Sequence, residues 1–277
     1  MIVLILTSLF ISLNVMEMST GIAIGSLGMP GKRIVNGQNA SMFEIPYQTQ
    51  LQIRFYGVWR QWCGGVLVTP NKVFTAAHCL DDTTADNYRV VVGAINLYGP
   101  SNEYEQTHYV SRIDTYEPIT REITVTDPHD IAVITLATSA TLNRNVQLAR
   151  LSKNVKTKPA SQCMMSGWGY TNLSLPKPNT LQKAFIVVVP DYVCSGAYPV
   201  AKAVMEAGLF ICVYNYIGPS ITRSIPCKAD SGGPLMCGPN KDELVGVLSR
   251  GPKDCVGNAP ALYVNISAYR DWLADKL

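Results

Sequence analysis

The chain has 277 residues, 47% of them hydrophobic and only 16% charged, with a formal charge of +3. That composition excludes a disordered chain or a repeat array and is long enough for one or two domains with a sizeable core. So slight and scattered a charge gives no reason to expect nucleic acid or an anionic membrane as partner.

From the N-terminus, Ile2 to Leu13 is an apolar run of signal-peptide length, too short to span a bilayer comfortably. Small residues follow at Ser19 to Ala23, where a signal peptidase could cut, although no basic residue precedes the run. A short Gly-containing segment then ends in Lys32-Arg33. Beyond it come short runs rich in Val, Ile, Tyr and Thr: Tyr47 to Phe55, Gly65 to Thr69, Tyr88 to Val92 and Ile131 to Leu136. Turn residues separate them at Pro70-Asn71, Asn87, Gly99-Pro100 and Asp127-Pro128. After a polar connection, Ser152 to Ala160, a second set includes Gln162 to Ser166, Phe185 to Val189 and Leu244 to Ser249. Many short strands with frequent turns predict an all-β sandwich or barrel. Helix signals are sparse: one irregular helix within Asp191 to Ala207, and a terminal helix capped by Ser267 with Tyr269, Trp272, Leu273 and Leu277 on one face.

Eight cysteines without C-x-x-C spacing read as a disulfide framework made in an oxidising compartment, which points to a secreted, extracellular protein. Spacing alone cannot choose their pairing. Three sequons, at Asn39, Asn172 and Asn265, are candidate glycosylation sites if the chain is secreted.

Three stretches carry the residue types of nucleophilic catalysis. Cys227-Lys228-Ala229-Asp230-Ser231-Gly232-Gly233-Pro234 sets a hydroxyl among small residues, where the backbone turns tightly and a reagent can approach. The same composition also suits an ordinary turn. A base and an orienting acid are therefore needed elsewhere. Thr75-Ala76-Ala77-His78-Cys79 offers a histidine, and Asp130-Ile131-Ala132-Val133-Ile134 a carboxylate opening an apolar strand. The other two histidines fit the base less well. His129 is next to Asp130 and would face away from it along a strand, and His108 reads as a polar surface position.

Together with Ile34-Val35-Asn36-Gly37 and Ser166-Gly167-Trp168-Gly169, these stretches resemble the chymotrypsin/trypsin family of serine proteases over about residues 34 to 277. The resemblance implies two six-stranded antiparallel β-barrels, about 34–150 and 151–277, with the active site in the cleft between them and a C-terminal helix. Residues 1–33 are then a signal peptide and a short activation propeptide, cut after Arg33 by a trypsin-like protease. The new amine at Ile34 would pair with buried Asp230. By the same likeness His78 is the base, Asp130 holds its tautomer, Ser231 is the nucleophile, and the N–H groups of Ala229 and Ser231 form the oxyanion hole. Where Ala229 stands, the family usually has Gly. The implied disulfides are Cys63 with Cys79, Cys163 with Cys237, Cys194 with Cys212, and Cys227 with Cys255.

The implied substrate pocket is lined by Ile225, Pro226, Lys228, Ser249, Arg250, Gly251 and Ala261. Ile225 gives a cationic side chain no partner, Gly251 leaves the entrance open, and Ala261 makes the pocket shallow, so apolar side chains are expected. Ser249 is also the serine that supports Asp130. Ala94-Ile95-Asn96 lacks the Glu of the family's calcium loop, and the chemistry needs neither metal nor cofactor. The implied protein is a monomeric secreted endopeptidase made as a zymogen. Its partners are protein or peptide substrates, an activating protease and protein inhibitors, with no nucleic acid and no membrane. Ala229 and Arg250 keep open an alternative, a weakened homologue acting as a binding or regulatory protein.

Overall fold

The computed structural model describes residues 34, 36–80, 84–118, 128–153, 157–216 and 223–277. The expected signal peptide, propeptide and cut site, residues 1–33, lie outside the described residues.

After a two-residue strand β1 (Gln38–Asn39), the chain forms β2 (Gln48–Phe55), β3 (Val58–Thr69), β4 (Lys72–Thr75), β5 (Tyr88–Val92), β6 (Gln106–Thr115) and β7 (Ala132–Leu136). Strands β2 to β7 close into an antiparallel barrel in the order β2-β3-β4-β7-β6-β5. Its interior is filled by aliphatic and aromatic side chains, with Leu51, Leu67, Val73, Tyr88, Val90 and Ile134 fully buried.

A short strand β8 (Arg150–Leu151) leads to β9 (Gln162–Gly167), β10 (Gln182–Val187), β11 (Phe210–Val213), β12 (Pro234–Cys237), β13 (Glu243–Arg250) and β14 (Ala261–Asn265). Six of these follow the order β10-β9-β12-β13-β14-β11. An isolated bridge from Val188 to Val213 joins the two ends of that series, making the second barrel. Strand β1 adds to the outside of β10. Strand β8 runs parallel to β13, a departure from the fully antiparallel pairing expected. Met165, Ile186, Leu235, Val245 and Tyr263 fill this core, and Ile34, 1% exposed, is packed into it.

The helical stretch predicted over 191–207 is broken into α1 (Asp191–Ala197), a 3-10 turn at Pro199–Ala201 and α2 (Lys202–Glu206). The terminal helix α3 (Arg270–Ala274) follows a 3-10 turn at Ile266–Tyr269. The capping side chain there is Asn265, which accepts from Ser267 N–H at 3.2 Å, so Ser267 is capped and is not the cap. Tyr269 and Leu273 are buried as expected, but Leu277 is 46% exposed.

Two further expectations are corrected. His108 is buried, 6% exposed, with Nδ1 at 2.8 Å from Thr138 Oγ1; its neighbours on β6 alternate outward while it faces in. Asn265, read as a sequon, donates its side-chain nitrogen to Gly208 O at 2.9 Å and is 9% exposed, so the folded chain gives a glycan no access there. Asn39 and Asn172 are exposed.

Candidate active site

The turn that carries Ser231 is held from both barrels. Its carbonyl accepts from Gly64 N–H on β3 at 2.8 Å, and Gly232 N–H donates to Leu248 O on β13 at 2.8 Å. Only glycine fits after the serine. Gly232 has φ +79°, and a Cβ there would stand 2.2 Å from Thr75 Oγ1 and 2.4 Å from Gly64 O. Thr75 is three residues ahead of His78, so this contact sets the serine's turn against the segment that bears the imidazole. Gly64 and Gly233 face each other with little room to spare, 3.2 Å from a built Cβ to backbone.

His78 lies in a 3-10 turn, Ala77–Cys79, anchored by the Cys63–Cys79 disulfide. Its Nδ1 is 2.8 Å from Asp130 Oδ2, and its own N–H donates to Asp130 Oδ1 at 2.9 Å. The Ser249 hydroxyl donates to the same Oδ2 at 2.6 Å. Ser249 can reach it because the register of β13 against β14 shifts between Leu248 and Arg250, a bulge that turns the serine out of the ladder. Asp130 is fully buried. Burial alone would raise its carboxyl, but the His78 ring, the Ser249 hydroxyl and the His78 backbone N–H together hold it below the usual carboxylate value. His129 turns elsewhere, with Nδ1 3.1 Å from the Tyr269 hydroxyl and its ring stacked on Tyr116.

Among the described residues no hydrogen bond joins the Ser231 hydroxyl to His78; the string is closed from Ser249 through Asp130 to the imidazole and open at its last link. Cys63, His78 and Cys79 also bring potential ligand atoms within 4.8 Å, but both sulfurs are in a disulfide and offer no thiolate.

Ala229 has φ +72°, the left-handed region that favours glycine. Its carbonyl accepts from Gln61 Nε2 at 3.0 Å. Within the turn, Asp230 N–H is taken by Cys227 O at 3.1 Å, whereas the N–H groups of Ala229 and Ser231 donate no hydrogen bond among the described residues. Asp230 itself is buried beneath. It accepts from Gly169 N–H at 2.7 Å and Cys227 N–H at 3.0 Å, and a Cβ at Gly167 or Gly169 would fall 2.2 to 2.3 Å from its carboxyl atoms. Both glycines of Ser166-Gly167-Trp168-Gly169 are thus fixed by the space this carboxyl needs. Burial pushes its pKa up to about 6, against the two N–H groups and the more distant Lys177 charge, which oppose the rise.

Beside the turn, Cys227–Cys255 ties the segment 225–228 to the one after β13. Ile225, Pro226 and Ala261 are buried, Lys228 is exposed, and Arg250 and Gly251 are half-buried. A Cβ on Gly251 would lie 2.8 Å from Pro226 O, so a residue without a side chain is what fits between these two segments. The remaining disulfides, Cys163–Cys237 and Cys194–Cys212, brace the second barrel.

Sequence reasoning missed Gln61, Thr75 and Lys177. Thr75 donates its hydroxyl to Gly64 O at 2.9 Å, and Lys177 places its ammonium on Gln61. Thr75 stands in the motif that bears His78 but gives no sign of its own contact, and Gln61 and Lys177 carry no local signal because the contacts of Gln61 with Lys177 and Ala229 span 116 and 168 positions.

The chain as a whole matches a known family. The family model described as Trypsin matches residues 34–273. The fibrinolytic enzyme isozyme C of Lumbricus rubellus is 33% identical over 247 residues, covering 87% of this chain and 99% of that protein. The human chymotrypsin-like elastase family member 1 is 35% identical over 245 residues, covering 87% and 91%. Among solved structures, neuropsin, a serine protease of mouse brain, superposes with a TM-score of 0.72 at 30% identity, covering 87% of this chain and 98% of neuropsin. Human heparin binding protein, at 23% identity and a TM-score of 0.70 over 86% and 94%, shares the fold. This chain belongs to the trypsin family of serine proteases.

Proposed function

We propose that the chain is a secreted serine endopeptidase, made as a zymogen and activated by cleavage after Arg33, that cuts peptide bonds following apolar residues. The observation that carries this reading is the string Ser249–Asp130–His78, with the turn of Ser231 docked on the strand and threonine that lead to the imidazole. In the reaction His78 takes the Ser231 proton as the hydroxyl attacks and returns it to the leaving amine. Asp130 keeps the Nδ1 proton in place and stabilises the imidazolium. The oxyanion is received by the N–H groups of Ala229 and Ser231, the two in this turn with no hydrogen bond among the described residues.

Cleavage is the switch because Asp230 is a buried carboxyl without an ion-pair partner among the described residues. Cutting after Arg33 frees an amine at Ile34, a residue already packed in the second barrel's core. Pairing of that amine with Asp230 compensates the buried carboxyl beneath the turn and closes the last link from His78 to Ser231. Ile225 at the pocket base and Ala261 on its wall, both buried and uncharged, favour apolar substrate side chains over Arg or Lys.

A fluorophosphonate that labels Ser231 tests this directly. Labelling should appear after cleavage at Arg33 and be absent in His78→Ala, and a peptide panel should then be cut after Leu, Met or Phe. A cleaved, folded chain that fails to label would instead favour the second reading, a protease-shaped binding or regulatory protein; dominant cleavage after Arg or Lys would remove the assigned specificity.

A further inference from the structure

Between β9 and β10 the chain runs out through exposed residues 172–176 and returns at Lys177, which is half-buried. Its ammonium donates to the backbone carbonyl of Gln61 at 2.7 Å and to the Gln61 side-chain oxygen at 2.6 Å. Those contacts determine which way the amide of Gln61 points: its oxygen is taken by the cation, so its nitrogen faces the other way. That nitrogen donates to Cys63 O at 3.1 Å and to Ala229 O at 3.0 Å. The three residues come from the loop after β9, from β3 and from the nucleophile's turn, separated by 116 and 168 positions along the chain.

We infer that Lys177 is a positioning residue which, acting through Gln61, clamps the carbonyl of Ala229 and thereby holds the left-handed turn whose N–H groups face the developing oxyanion. This rests on the endopeptidase reading. A carbonyl and the N–H of its own residue are linked by two dihedrals, so fixing Ala229 O restricts where Ala229 N–H can point. Such a clamp matters more here than it would with glycine. A β-carbon in the left-handed region makes the extended alternative preferable, and two charge-assisted hydrogen bonds on Gln61 are of the size needed to hold the turn against it.

The surroundings suit the task. Lys177 lies over the Tyr170 ring at 5.6 Å, and Tyr170 N–H donates to Lys228 O at 2.9 Å, so the same loop also grips the residue before Ala229. Burial lowers the Lys177 amine to about 8, while the Asp230 carboxyl beneath opposes the fall. The ammonium is therefore held by fixed partners and is weakly hydrated.

The test uses the full chain cleaved after Arg33, as wild type, Lys177→Met, Gln61→Met and the double variant. Methionine keeps the apolar stem and its packing while removing the polar contacts. Each single variant should slow acylation by an active-site titrant about tenfold with KM within about twofold, since the loss falls on the oxyanion-binding step and not on the pocket. The double variant should be no slower than the slower single, because both break one chain of contacts. Amide exchange of the segment 227–235 should rise in all three. Unchanged acylation in Lys177→Met, or a double loss equal to the product of the single losses, overturns the clamp. Should wild type fail to acylate at all, the endopeptidase reading falls, and the exchange comparison alone then decides the clamp: raised exchange in Lys177→Met upholds it and unchanged exchange rejects it.

Discussion

The buried carboxyl of Asp230 gives the uncut chain a pH dependence of unusual sign. Held at about 6 instead of its ordinary 3.8, the ionised form is disfavoured in the folded protein by roughly 3 kcal/mol. Between those two values the folded state binds more protons than the unfolded state, so folding stability falls as pH rises. Below about pH 3 both states are protonated and the penalty is absent; above about pH 7 it is complete. Urea unfolding of the uncut chain in a Ser231→Ala background, which prevents self-digestion, should be compared with the same chain carrying Asp230→Asn. From pH 3 to pH 7 the unsubstituted carboxyl should cost the protein about 3 kcal/mol more than the amide variant loses, because the amide does not titrate. Cutting after Arg33 should reverse the slope, because a carboxyl paired with an amine gains stability above its unfolded pKa. Parallel profiles before cutting, with and without the Asp230→Asn substitution, would refute the reasoning, and so would a slope that cutting leaves unchanged.

Other consequences concern the small residues of the turn. Ala229→Gly removes a β-carbon from a residue at φ +72°, which should relieve about 1–2 kcal/mol of strain and return about 0.5–1 kcal/mol of it as unfolded-chain entropy. A net gain of about 0.5–1 kcal/mol in urea unfolding is expected, with acylation changed less than about tenfold, since Ala229 already adopts the left-handed conformation. A change of about 10² to 10³ would mean that alanine had turned the N–H away, the effect of losing an oxyanion donor. Gly232→Ala should be far more damaging. It combines left-handed backbone with a built contact at 2.2 Å to Thr75 Oγ1, so a loss of about 2–5 kcal/mol is expected in thermal or urea unfolding. Near-normal stability would show that the two barrels can part at this point without penalty.

The strands most legible in the sequence were those rich in β-branched residues with turn residues just before them, such as β5 after Asn87 and β7 after Asp127-Pro128. Strands β11 and β14 were not set apart, because every residue in each is buried and no alternation marks them. Strand β12 was read only as the end of the serine's turn, since four buried residues after Gly-Gly carry little pattern of their own. The misplacement of His108 at the surface has a similar origin. It stands in β6 between exposed Thr107 and Tyr109, and a polar residue in a polar run gives no sign that its own side points inward.

For the site, the residues proposed to do the chemistry were legible, and most of those that hold them were not. His78, Asp130 and Ser231 lie in short motifs; Ser249 was expected beside Asp130 only through the family resemblance, and the bulge that lets it reach there is a property of the pairing of β13 with β14. Gln61 and Lys177 read as ordinary polar positions. Each meets its partner only after two barrels have formed and a loop has folded back across 116 residues of sequence. The glycines behave in between. Gly167 and Gly169 are visible as a motif, but their necessity is a matter of volume, because any side chain there would occupy the place of the Asp230 carboxyl. Asp230 therefore connects the legible and the illegible parts. It needs two glycines for room, two N–H groups for partial solvation, and a positive charge that the described residues do not provide as an ion pair. In the proposed activation that charge is the freed amine of Ile34, so the titration of Asp230 is a direct test of that step.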